Sequence, residues 1–432
     1  MTANHSDQSP VPSPLQNWAG NLTFSTSQVY YPDTVEAVQA LVKQSAKLRV
    51  VGSRHSFNAI ADSEHVLIST RDLNKVLSLD VEALTVTVES GITYGALSAW
   101  LDDKGFALHN LASLPHISVA GSVATATHGS GVGNGNLATA VTALQMVVAD
   151  GRIVGLSKAT DGERFHAAVV ALGALGIVTQ LTLQVQPKFY MRQYVYERLP
   201  LSKLKENFQS VMAAAYSVSL FTDWQQDSIN EVWIKSLSSS GKSFDQQPDL
   251  FGARAATAKL HPIAGVSAVN CTDQLGVEGP WHDRLPHFKM GFMPSSGVEL
   301  QSEYFVSGEH AVAAFEAITA LSQQIGRHLF ISEIRSIAAD ELWLSPAYQR
   351  DCIAFHFTWQ QHIPEVMTLL PVIEAALAPF AVRPHWGKLF TIPATVLADR
   401  FEKLADFKKL ANEYDPPGKF RNVFLEECVW GR

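Results

Sequence analysis

Cysteine is scarce in this chain: Cys271, Cys352 and Cys428 are three among 432 residues, odd in number and widely spaced. That excludes a disulfide framework and a CxxC zinc site, and it fits a reducing cytoplasm. A basic excess is missing too. With 33 Lys and Arg against 41 Asp and Glu, the formal charge is −8 and no basic stripe stands out, which argues against a nucleic-acid partner. Long apolar runs are lacking: stretches such as 211–216 and 375–381 fall well short of a membrane span. Residues 1–16 are polar, rich in Ser and Pro, and hold no apolar stretch that would serve as a signal peptide. They read as a loose tail.

What is present describes a packed globule, with 47% hydrophobic and 17% charged residues. The length exceeds one ordinary core, so two domains are expected. Residues 29–31 form a short strand candidate before Pro32. Asp33 and Glu36 have the spacing of a capping box, and Val35, Val38, Leu41 and Val42 then recur at helical spacing to about Ala46. Strand candidates follow at 48–51, 66–69 and 85–89, and a helical pattern at 94–104. Asp150-Gly151 between apolar runs signals a two-residue hairpin, and 176–185 reads as a further strand.

After Pro187 the texture changes. Residues 194–198, 217–221, 231–237, 303–306, 329–335 and 353–359 are strand-like, with two helical stretches at 309–325 and 365–377. The expectation is an α+β domain built on one large antiparallel sheet. An amphipathic stretch at 394–414 belongs to a tail that must pack onto another part of the chain.

Four features carry chemistry. Val51-Gly52-Ser53-Arg54-His55-Ser56 follows a strand directly; glycine permits a sharp turn, the serines add donors, and His55 is presented at the tip. A tight loop with an incidental histidine is the alternative. The segment 121–136, with Gly121, Gly129, Gly131, Gly133 and Gly135, is a second phosphate-cradle candidate, in which Ser122, Thr125, Thr127 and Ser130 offer hydroxyls. It has neither the GxGxxG nor the P-loop pattern, and the alternative is a surface loop. Glu333 and Arg335 are two apart on a strand and so share a face, as do His356 and Thr358. Such a face suits a polyhydroxylated ligand, or is simply solvated and bears a surface ion pair. Lys388, in His385-Trp386-Gly387-Lys388, reads as a half-buried cation able to stabilise developing negative charge, or as a plain surface lysine.

Together with Gly173-Ala174-Leu175-Gly176-Ile177-Val178-Thr179, these segments resemble the FAD-binding domain of the vanillyl-alcohol oxidase (PCMH) type. Within that superfamily the chain resembles the alditol (xylitol) oxidases, from Asn17-Trp18 to Gly418-Lys419-Phe420. The specific likeness lies in Ala268-Val269-Asn270-Cys271-Thr272, Pro294-Ser295-Ser296-Gly297, Leu344-Ser345-Pro346-Ala347-Tyr348 and Arg383-Pro384-His385-Trp386-Gly387-Lys388.

The resemblance implies an FAD-binding domain over 17–187, with 381–432 packing back onto it, and a substrate cap over 188–380. It implies FAD bonded covalently to His55, with cofactor contacts from Val51, Gly52, Ser53, Arg54, Ser56, Ser113, Ser118, Gly121, Ser122, Thr125, Ala126, Thr127, His128, Gly129, Ile177, Val178 and His385. A polyol site would be lined by Ser113, Glu333, Arg335, Thr358 and Lys388, with His356 beside them. Catalysis would then fall to Lys388, Arg335, His356 and Glu333. The implied reaction takes a terminal alditol hydroxyl to the aldehyde and reduces O₂ to H₂O₂, in a monomer without membrane or nucleic-acid partners. An aldonolactone oxidase or dehydrogenase of the same superfamily is the alternative. Arg54 departs from the glycine common in such loops. Some relatives attach flavin through a histidine and a cysteine, but no cysteine precedes Cys271, so attachment through His55 alone is expected.

Overall fold

The computed structural model describes residues 15–238, 244–291 and 298–432. The first fourteen residues of the expected tail and the likeness at Pro294-Ser295-Ser296-Gly297 lie outside the described residues. Leu15 and Gln16 are not loose: Gln16 bridges Thr23, and Leu15 accepts from Phe24 N.

Three parallel strands, Val29–Tyr30, Val66–Ser69 and Leu48–Val51, pair in that order. The helix Val35–Gln44 packs Val38, Leu41 and Val42 into a cluster with Leu48, Ile68, Ile177 and Phe420. Its N-cap is Thr34, whose hydroxyl accepts from Ala37 N, and not Asp33. A second, antiparallel sheet runs Val76–Asp80, Thr85–Glu89, Ile177–Gln184, Val141–Val147, Ile153–Ser157. The hairpin at Asp150-Gly151 closes with a three-residue loop, Val148 N bonding to Arg152 O while Gly151 takes φ 83°. That is the geometry in which the left-handed position falls to glycine.

From Tyr190 onward the strands join a large sheet. Its described order is Asp249–Leu250, Ala253–Ala255, Tyr190–Pro200, Ser228–Leu237, Ser217–Thr222, Leu329–Ile337, Cys352–Trp359, Leu300–Ser307 and Arg383–Pro384, with Gly279–Pro280 also on Tyr190–Pro200. The pattern at 309–325 breaks into Ala311–Thr319 and Ser322–Gly326, and that at 394–414 into Ala394–Arg400 and Leu404–Tyr414. Helices Lys158–Val169 and Leu201–Met212, which the apolar spacing did not announce, add to them; each contains one residue with non-helical dihedrals, Gly162 and Asn207. The segment Ile363–Phe380 has the length and apolar composition to cross a membrane. Here its Val366, Leu370, Ile373 and Leu377 face the protein core.

The tail divides its attachments. Arg383–Pro384 extends the large sheet beside Leu300–Ser307, whereas Phe420 joins the Val38 cluster and Lys419 Nζ donates to Val42 O and Ala149 O.

Candidate active site

A cavity of about 540 Å³ lies between two walls. The first grows from the strand Leu48–Val51. Gly52 turns the chain beside the short helix Val119–Ala124, so closely that a Cβ on Gly52 would stand 2.4 Å from Ser118 Oγ. Ser118 N donates to Ser53 Oγ. Arg54 adopts φ 63°, a left-handed conformation that costs a non-glycine residue about 1 kcal/mol. Arg54 O accepts from Trp18 N, and its guanidinium donates to Gln16 O. Arginine therefore stands in a left-handed position of the kind that favours glycine. His55 bonds through Nδ1 to Ser53 O, and its ring stacks on Trp18 with centroids 5.1 Å apart. Burial pulls the imidazole down to about 4, so it is neutral and retains a lone pair.

The residues fit a dinucleotide cofactor. Gly52 and Gly121 bring two backbone segments together, and Ser118 Oγ, buried between them, has no hydrogen-bond partner among the described residues. Ser122 and Thr125 line the cavity, and their hydroxyls donate to Ser118 O and Gly121 O, four residues back in each case. Ser130 Oγ bonds Val218 O in the large sheet. Ala126 is buried with φ 55°, and a Cβ on Gly129 would strike Leu111 O. Ile177 belongs to the Val38 cluster and Val178 to the main core, so these two do not line the cavity with His55.

The second wall is a row across three adjacent strands. Glu303, His356 and Glu333 stand in register, and Phe221 continues the row. Two residues along the same face come Gln301, Thr358 and Ile331 on one side and Arg335 on the other; Ser113 completes the lining from the opposite side. Glu333 and Arg335 form no surface pair, since both are buried.

Lys388 reaches this row because His385 N bonds Glu303 O and Leu389 N bonds Gln301 O, with Trp386-Gly387 looped between. Its ammonium donates to Glu303 Oε2 at 2.7 Å and His356 Nδ1 at 2.6 Å, leaving one of three donors for a ligand. Arg335 Nη2 meets Glu303 Oε1 at 2.6 Å, and His128 Nε2 lies 3.3 Å from the same oxygen. Burial opposes ionisation of Glu303, yet Lys388 and then Arg335 hold its carboxyl well below the usual range. Burial lowers Lys388, with Glu303 opposing. Burial, then Lys388, pulls His356 down to about 4. Because His356 Nδ1 accepts from Lys388, its proton sits on Nε2, which donates to Thr358 Oγ1 at 3.0 Å. His385 is buried nearby, its Nδ1 accepting from Gly387 N.

Glu303 was not singled out from the sequence; the available signal was an acid directly before the apolar run Tyr304-Phe305-Val306. Trp18 and His287 were missed as well. The two walls are stitched together by Phe57 N to Gly387 O and by Asn58 Nδ2 to the carbonyls of Trp386 and Lys388.

A glycine-rich cradle presenting a neutral histidine, facing a charged sheet across one cavity, is the arrangement a flavin-dependent enzyme requires, and the comparisons with known proteins give the class. Residues 26–157 match the family described as FAD binding domain, and residues 297–428 that of D-arabinono-1,4-lactone oxidase. The chain is 46% identical over 421 residues to the alditol oxidase of a Streptomyces species, covering 96% of this chain and 99% of the relative. It is 29% identical to the L-gulono-1,4-lactone dehydrogenase of Mycobacterium tuberculosis, covering 96% and 99%. The L-gulonolactone oxidase of Mus musculus is 26% identical, covering 96% and 98%. The cholesterol oxidase of Brevibacterium sterolicum shares the fold, with TM-score 0.77 at 15% identity over 98% of this chain and 100% of that one. The chain belongs to the vanillyl-alcohol oxidase (PCMH) type flavoprotein family, as an FAD-dependent oxidase grouped with the alditol oxidases.

Proposed function

We propose that this protein oxidises the terminal hydroxyl of alditols such as xylitol and sorbitol to the aldose, with FAD held covalently through His55 alone. The observation that carries the reading is the buried row of Glu303, His356 and Glu333, with Arg335 and Lys388, in the same cavity as His55. The division into a cofactor domain over 17–187 with 381–432 and a cap over 188–380, action as a monomer, and a cytoplasmic location belong to the same reading.

Val51–Ser56, Ser118 and Gly121 would hold FAD, which when bound accepts a hydride and passes its electrons to O₂, giving H₂O₂. The chain's own part is polar. Glu333 accepts from a substrate hydroxyl, and Thr358 and Ser113 supply further hydrogen bonds. Lys388 and Arg335 hold the reacting oxygen as its proton leaves. His356, neutral and with its lone pair facing Lys388, is the proton acceptor: Lys388 gives Nδ1 the proton it shares with it and, once neutral, takes the substrate's proton in its place. A wall of buried donors and acceptors penalises ligands without matching hydroxyls.

Titrating polyol into the enzyme without O₂ should bleach the flavin, and admitting O₂ should restore the colour with release of H₂O₂. Xylitol and sorbitol should outperform L-gulono-1,4-lactone and 1-butanol in kcat/KM. Preference for the lactone, the second reading favoured by the match over 297–428, would sink the polyol assignment. For the covalent bond, acid-precipitated protein should stay yellow and His55→Ala should release the colour; flavin washing out of the parent protein would refute it.

A further inference from the structure

Behind Glu333 lies a pair of groups that the reaction above does not use. Lys235 is fully buried on the strand Ser228–Leu237, and its Nζ contacts three acceptors: Leu285 O, Pro286 O at 3.0 Å and His287 Nδ1 at 3.1 Å. An ammonium has three donors and no acceptor, so this set matches it fully. His287 Nδ1 must then accept, its proton lies on Nε2, and Nε2 donates to Glu333 Oε1 at 2.8 Å. The imidazole has little freedom to turn. Phe221 and Trp233 meet it edge-on, with centroids 5.4 and 5.3 Å away.

This is a costly way to fill space. Burial pulls Lys235 down to about 7 and His287 to about 4, and a well-packed apolar pair would avoid both penalties. What the arrangement yields is a carboxylate fixed at one oxygen. Oε1 of Glu333 faces His287 and, at 3.7 Å, Arg335 Nε. Among the described residues none bonds to Oε2, and Glu333 lines the cavity.

We propose that Lys235 and His287 are positioning residues for polyol selectivity: they orient Glu333 as a fixed acceptor whose Oε2 takes a substrate hydroxyl other than the one being oxidised. The proposal rests on the polyol reading above. It assigns the discrimination between polyhydroxylated and simple alcohols to a relay, Lys235 to His287, that acts through Glu333.

Steady-state kinetics of His287→Phe, His287→Gln and Lys235→Met with xylitol and 1-butanol test it. His287→Phe should raise KM for xylitol about tenfold or more and leave kcat within about threefold, the scale of one lost charge-assisted hydrogen bond. Its kcat/KM for 1-butanol should match the parent. Glutamine, whose amide can present an N–H where Nε2 stood, should restore most of the KM. Lys235→Met should resemble His287→Phe, and the double variant should be no worse than His287→Phe, because the two act as one unit. Should Lys235→Met not fold, the two His287 variants decide alone. An unchanged KM, an equal loss for both alcohols, or glutamine no better than phenylalanine would overturn the proposal. A parent enzyme that turns over L-gulono-1,4-lactone and not xylitol would overturn the polyol reading beneath it, and that appears before any variant is made.

Discussion

The two walls of the cavity recognise by opposite means. The His55 wall is nearly free of charge: Gly52 and Gly121 bring backbone close, Ser118 offers a hydroxyl, and the imidazole is neutral. The sheet wall packs Glu303, Glu333, Arg335 and Lys388 out of water, each held by an opposite partner. A cofactor that stays in place needs shape. A substrate that comes and goes through a polar reaction needs fixed charges, which act most strongly where water is excluded.

The contrast can be broken first at Lys388. Lys388→Met should lower kcat/KM for xylitol by about a thousandfold, as loss of a preorganised donor to a developing oxyanion does, with flavin content unchanged. Next, Glu303→Gln leaves Arg335 and Lys388 as two buried cations without their shared anion. A fall in kcat/KM of about ten- to a hundredfold, with a lower Tm, is expected, and parent-like behaviour would show the ion pairs to be idle. Gly52→Val tests the other wall: flavin bound per protein should drop severalfold while turnover per bound flavin stays near the parent value, read from flavin absorbance against protein.

The pH dependence sharpens the comparison further. His356 must be neutral to accept a proton, and with its folded value near 4 that ability is lost only as pH falls through about 4. The acid limb of kcat/KM should therefore lie near 4 and not near 6.5. Stability has the same sign: between 6.5 and 4 the unfolded chain takes up protons that folded His356 and His287 refuse, so Tm should fall as pH is lowered across that window. The smallest effect is expected at Arg54→Gly. Relief of a left-handed arginine is offset by the lost bond to Gln16 O and a looser unfolded chain, so the net change should stay within about 1 kcal/mol and Tm should move by only about one degree.

Much of this was legible in the residues. The strand into Gly52 and His55, the shared face of Glu333 and Arg335, and that of His356 and Thr358 follow from local order, because a turn and a period of two are written in adjacent letters. The register was not. Glu303 finds Arg335 32 positions away and Lys388 85 positions away, and nothing near any of the three announces the others. Nothing in the sequence around Lys235 announces the three acceptors that surround it. The hydroxyls of Ser122 and Thr125 are a related case: both residues line the cavity, but composition did not show that their hydroxyls also bond to carbonyls four residues back.

The strand that delivers His55 has a partner far along the chain. Leu48 N bonds Lys419 O, while Arg49 donates to Phe420 O and Lys47 to Gly418 O, each across 371 positions. During synthesis, then, the histidine-bearing wall is made early and finished late. Until residues near 420 emerge, the helix Val35–Gln44 exposes the apolar face that Phe420 helps to cover, and Arg49 lacks one of its carbonyl partners. The wall that carries His55 is complete only once this distant seam has formed.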